Sequence, residues 1–111
     1  MNVTSETHIA ATVLCITGDL STDDANGFQR IVRETVNNFN TNVIINCTDL
    51  GLIDSVGLES LLWLSDELNK AGNKLRFAAV PSSVERIFEL TRLSRVFSCH
   101  ETVEQAARSF A

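Results

Sequence analysis

No C-x-x-C pair, no H-E-x-x-H, no G-x-x-x-x-G-K-[ST] and no G-x-G-x-x-G occurs in these 111 residues. The first two absences remove the common dithiol and zinc frameworks, and the last two remove the glycine loops that cradle phosphates. Cys15, Cys47 and Cys99 are odd in number and widely spaced, as expected of small buried hydrophobes in a reducing compartment. No apolar stretch approaches the roughly 18 residues of a membrane span. The N-terminal "MNVTSETHIA" lacks a basic segment followed by an apolar run, so it does not read as a signal peptide. A cytoplasmic protein without a membrane role is expected. Bases are also scarce: nine Lys and Arg stand against fourteen Asp and Glu, for a net charge of −5. They are spread along the chain, whereas neutralising nucleic-acid phosphates takes a clustered basic patch. No nucleic acid is expected as a partner.

What remains is an ordinary globular composition, 44% hydrophobic and 21% charged, in a chain long enough to bury a core as one domain, residues 1–111. "IAATVLCITG" (Ile9 to Gly18) is rich in β-branched residues and reads as a strand, with a shorter edge strand before it around Val3 to Thr7. Ser21 offers a helix N-cap with Asp23 and Asp24 in the first turn. Ala25, Phe28, Val32, Val36 and Phe39 then recur at helical spacing, predicting a helix from Thr22 to about Phe39. "NVIIN" suits a central strand buried on both faces. A second helix follows Ser55, with Leu58, Leu61, Leu62, Ser65 and Leu68 in one stripe and Gly72 as its C-cap. "KLRFAAV" is the next strand. Ser82 and Glu85 have capping-box spacing before a third helix. "RVFSC" and a helix capped by Thr102 complete the chain. Strand and helix alternate from residue 42 onward, and right-handed crossovers of that kind build a parallel sheet. The expected class is α/β: a mixed, mostly parallel sheet of about 4–5 strands with about four helices packed against it.

A catalytic centre is hard to assemble from these residues. Ser55 has no G-x-S-x-G around it, and His8 and His100 fall in edge or loop positions, so no catalytic residue, cofactor or metal is assigned. Asp54 and Ser55 nevertheless sit at a helix N-terminus past the end of a strand, where functional residues gather in open α/β sheets. They are also among the best N-caps, so capping and function both stand. Val56 leaves Ser55 as the sole hydroxyl of the turn. Trp63 falls with Glu59, Ser60 and Glu67 opposite the apolar stripe. It is either an indole folded over the helix edge or an aromatic anchor for a partner.

The stretch "LIDSVGLESLL", preceded by "TGDLST" and followed by "AGNKLRFAAV" and "LTRLSRVF", resembles a STAS domain of the anti-sigma factor antagonist type. The resemblance spans nearly the whole chain, in order. It implies a partner-switching protein that binds an anti-sigma factor, itself a serine kinase of the histidine-kinase-like ATPase fold, and so frees a sigma factor. It further implies phosphorylation at Ser55, release of the partner, and resetting by a PP2C-type phosphatase. The docking surface implied comprises Gly18, Asp19, Leu20 and Ser21 beside Asp54, Ser55, Val56, Gly57 and Glu59, to which the helical-wheel reading adds Trp63. Two positions depart from the family pattern: Asn46, where many members carry Asp, and Arg92, where a Gly often precedes the leucine matching Leu93. STAS domains also serve as constitutive accessory subunits of lipid-transport ATPases and of stress-sensing assemblies, which is the competing expectation. A third is small-ligand binding at the sheet edge.

Overall fold

The run "TVLCITGDL" supplies the long strand on which the rest is built. Its inward residues Val13, Leu14, Ile16 and Leu20 are buried. In the computed structural model, which describes residues 1–36 and 39–110, this strand is β2 (Thr12–Leu20), preceded by β1 (Asn2–Thr7). The two form an antiparallel hairpin with Asn2 opposite Thr17 and Thr7 opposite Thr12. Ile9, expected inside the strand, lies instead in the turn, where the His8 amide bonds the Ala11 carbonyl. Beyond it the chain forms α1 (Ala25–Thr35), β3 (Val43–Asn46), β4 (Leu50–Ile53), α2 (Ser55–Lys70) and β5 (Leu75–Ala78). The remainder is α3 (Ser82–Leu90), β6 (Ser98–His100) and α4 (Val103–Arg108).

The sheet runs β1-β2-β3-β5-β6, with β2, β3, β5 and β6 parallel and β1 the antiparallel edge. β3 covers the first half of β2. β4 takes up the same side further on, pairing Gly18 with Leu50 and Leu20 with Ile53. That strand is absent from the sequence-based reading, which carried these residues as a tail between strand and helix. Among the described residues this gives six strands and four α-helices.

Helices α1, α2 and α3 share one face of the sheet. Phe28 and Val32 from α1, Leu61, Leu64 and Leu68 from α2, and Val84 and Phe88 from α3 join a core with Leu14, Ile45 and Phe77. Each such side chain contributes about 1.5–3 kcal/mol by leaving water. Phe77, Phe88 and Phe97 pack as a trio with ring centroids 4.8 to 5.4 Å apart. The short α4 closes the other face, setting Ala106 and Ala107 on Ala11, Val13, Ile44 and Ala78.

The apolar face of α2 differs from the expected stripe. Leu64 and Ser60 are buried while Leu62 is half-buried, because the helix packs against α1 as well as the sheet. Ser60, expected on the outer face, satisfies its hydroxyl by donating to the Val56 carbonyl at 3.1 Å. The first helix is shorter than expected. Thr22–Asp24 form a 3-10 turn and α1 ends at Thr35; the expected helical residues 37 and 38 lie outside the described residues. Ser21 does not cap a backbone N–H; its hydroxyl donates to Asp24 instead. The Ser82–Glu85 box does not form either, since Pro81 occupies the N-cap of α3. Thr102 does cap α4, accepting the Gln105 amide at 3.1 Å. Gly72 ends α2 as expected, with φ of 83°.

Arg92 is the departure with a backbone explanation. It precedes the 3-10 turn Leu93–Arg95 with φ 64° and ψ 13°, the left-handed region. A side chain there costs roughly 1–2 kcal/mol, more than the 0.4–1 kcal/mol that a glycine loses through its freer unfolded chain. Arg92→Gly is therefore expected to stabilise the fold by about 0.5–1 kcal/mol, read as a rise in the urea midpoint at unchanged m-value.

Candidate functional site

The parallel register of β4 on β2 carries residues 18–21 and 54–57 to the same end of the sheet, although more than thirty positions separate them in the chain. Asp54 joins them. One carboxylate oxygen accepts the Gly57 amide at 2.8 Å, capping α2. The other accepts both the Thr22 amide at 2.8 Å and the Thr22 hydroxyl at 2.9 Å. A single carboxylate thus holds the start of α2 and the turn leading into α1. These donors, the Gly57 amide first and then Thr22, hold the Asp54 carboxyl below the usual carboxylate range. The stability it contributes is complete above its unfolded value of about 3.9 and is lost as pH falls through the lower native value. Asp54→Asn is expected to melt at lower temperature at neutral pH and to show a smaller drop between about pH 5 and about pH 3 than the wild type. Thermal melts across that range check it.

A second clamp lies alongside. The Asp19 carboxylate accepts the Leu52 amide at 2.8 Å, fixing the exposed run of β4 against the end of β2. Gly57 is buried for a separate reason. A Cβ there would overlap the Leu20 carbonyl oxygen and come within 2.9 Å of Ile53 Cγ1. The first turn of α2 therefore rests directly on the backbone of β2.

Ser55 is the first residue of α2 and is exposed, and among the described residues its hydroxyl takes part in no hydrogen bond. The choice between cap and working residue resolves into two side chains: Asp54 caps, and Ser55 is left over. Around it, Asp19, Glu59 and Ser55 are exposed, and Gly18, Ser21, Asp54 and Val56 are half-buried. Leu20 and Gly57 are buried beneath this surface. Trp63 is half-buried. Its ring packs edge-on to Phe39 at 5.9 Å between centroids, under the Arg33 guanidinium at 5.0 Å. The indole is folded over the helix edge, sealing α2 against the segment that carries α1.

Leu52 was missed by the sequence reading. It is 75% exposed, among the most exposed large apolar side chains of the molecule, and stands three residues before Ser55. Alternation could not have found it: β4 reads in-out-out-in, because an irregularity in its pairing with Gly18–Leu20 turns both Leu50 and Ile53 inward and leaves Leu52 out. The surroundings are acidic. No Lys or Arg precedes Arg30 or falls between Arg33 and Lys70, so residues 18–21 and 52–59 carry no cationic side chain.

Elsewhere the chemistry is sparse. Cys47 is buried, which pushes its thiol up to about 12. Cys99, expected to be buried, is exposed on β6, with its thiol raised to about 11 by partial desolvation and by Glu85. Neither is a thiolate at neutral pH. His8 lies in the β1–β2 turn and His100 on the far edge strand, neither on an element that carries Ser55. A cleft of about 370 Å³ past the ends of β5 and β6 is lined by Glu85 and Glu101 with Cys99 and His100. Its two carboxylates disfavour a phosphate-bearing ligand. No helix among the described residues is long and apolar enough to cross a membrane.

A sheet of this order, with an exposed serine at the start of its second helix, defines a recognisable class. The STAS domain model matches residues 2–106, and the chain belongs to the STAS domain family. Its fold is that of solved anti-sigma factor antagonists. A proposed anti-sigma factor antagonist from Thermotoga maritima superposes with a TM-score of 0.89 at 19% identity, covering 97% of this chain and 93% of that one. An anti-sigma factor antagonist from Mycobacterium paratuberculosis gives 0.85 at 20% identity, covering 98% and 92%. The Bacillus cell fate determinant SpoIIAA in its phosphorylated form gives 0.74 at 16%, covering 99% and 100%.

Proposed function

We propose that this chain is a partner-switching anti-sigma factor antagonist. Unphosphorylated, it binds a cytoplasmic anti-sigma factor that is also a serine kinase; phosphorylated on Ser55, it lets that partner go, and a PP2C-type phosphatase restores it. The chain acts as a binding module and not as a catalyst. The observation that carries this reading is the exposed, unengaged Ser55 hydroxyl beside an Asp54 that already does the capping. A hydroxyl needed by the fold would be a poor switch, because modifying it would unfold the protein.

The docking surface is drawn from Asp19, Leu52, Ser55, Val56 and Glu59, with Leu52 as its apolar anchor. A phosphate adds about −1.5 to −2 charge next to Asp54, and the chain segments around it offer no Lys or Arg to pair with it. The N-terminus of α2 tolerates the added anion, so the fold holds while the docking surface gains a charge it cannot pair. Leu52→Ser is expected to fold with unchanged thermal stability and to lose about tenfold or more in affinity for the anti-sigma factor, as truncating an interface anchor does; calorimetric titration measures it.

The experiment that tests the reading is intact mass after incubation with candidate anti-sigma kinases and ATP. One added phosphate, abolished by Ser55→Ala, supports it. Stable co-purification with a transporter ATPase and no phosphate on Ser55 would replace it with the accessory-subunit reading.

A further inference from the structure

β1 is an open edge of the sheet: β2 holds one side of it, and no strand among the described residues holds the other. An edge strand presents unpaired N–H and C=O groups along its outer side, and folds blunt such edges with Lys, Pro, bulges or shortness. Asn2–Thr7 has none of these protections. It runs six residues, pairs β2 in unbroken register, and carries no Lys and no Pro, with Glu6 its single charge. We infer that β1 is a self-pairing edge that joins two copies of this chain antiparallel, about a two-fold axis through Ser5.

The register follows from geometry. A two-fold axis perpendicular to the sheet keeps every side chain on its own face, and directly opposed residues must share a face. Opposed positions therefore sum to an even number. Centring on Ser5 sets Ser5 against Ser5, Thr4 against Glu6, Val3 against Thr7, Asn2 against His8 and Met1 against Ile9. No like charges meet, and Val3 with Thr7 is a favourable β-branched pair. The last pair decides the register. Ile9 is fully exposed in the hairpin turn just past the strand and Met1 is exposed at the strand's other end, so this register brings each beside the other, twice per dimer. Centring on Thr4 sets Met1 against Thr7 and so does not bring Met1 to Ile9. β4 lies on the opposite side of β2 from β1, so the dimer leaves both Ser55 surfaces open and this inference does not depend on the switch.

A six-residue edge makes a concentration-dependent dimer rather than a permanent one. Sedimentation of the purified chain from low to high micromolar concentration is expected to show monomer passing to dimer. Ser5→Lys, which opposes two ammonium groups on the axis, is expected to stay monomeric at every concentration with unchanged circular dichroism. Ser5→Cys, with Cys15 and Cys99 replaced by Ser, is expected to form a disulfide-linked dimer on mild oxidation, and Thr4→Cys in the same background is not. A wild type monomeric throughout, or a dimer that survives Ser5→Lys, overturns the inference. So does cross-linking at Thr4 in preference to Ser5.

Discussion

Ser55→Asp is expected to fold like the wild type and to bind an anti-sigma factor roughly 150-fold more weakly than Ser55→Ala does. The two effects separate because they draw on different parts of the structure. Stability at this end of the molecule rests on Asp54, which bonds Gly57 and Thr22, and on the Gly57–Leu20 contact. Ser55 contributes to neither. Folding therefore has little to lose, and its melting temperature should stay within the usual range of a surface substitution. Binding has much to lose. A carboxylate desolvated at an interface with nothing to pair it costs about 3 kcal/mol or more, which converts to the stated affinity ratio. Titration of both variants against the same kinase domain measures it. Equal affinities would remove Ser55 from the mechanism.

Gly57→Ala is expected to be the most damaging single-methyl change in the site. In an ordinary helix the substitution would gain up to about 1 kcal/mol from propensity. Here the added Cβ meets the Leu20 carbonyl, a backbone atom that cannot swing aside, and also Ile53. Overpacking of this kind costs typically 1–3 kcal/mol, and relief requires the helix start to lift from β2. That movement also stretches the Asp54–Thr22 bonds. A net loss of about 1–2 kcal/mol in urea unfolding is expected, together with weakened binding even though Ser55 is untouched. A variant as stable as the wild type would show that the helix start tolerates displacement.

These two residues also mark how far the sequence could be read. Local signals were sufficient for the crossovers, for α2 opening at Ser55, for the Thr102 cap and for Gly72, because each depends on spacing within a few residues. The long-range arrangement was not legible. That Asp54 accepts bonds from Thr22 follows only once β4 is paired with β2, and β4 itself was invisible because four residues, two of them outward, leave too little alternation to notice. Gly57 entered only as one residue of the implied docking surface, but its reason is a neighbour thirty-seven positions away. The helical wheel placed Trp63 on the outer face correctly as an angle. It could not choose between the fold-over and the anchor readings, because Phe39 and Arg33, which pack on the indole, lie outside α2.

That seam gives the molecule an optical property. The chain has one tryptophan and no tyrosine, so its near-ultraviolet emission comes from one indole, seated on a phenylalanine edge beneath a guanidinium. Intrinsic fluorescence therefore reports the joint between the first two helices, eight residues along from the serine, and not the state of the sheet. A partner, a phosphate or a denaturant that parts those helices will shift the emission colour while the aromatic trio under α3 stays dark and intact.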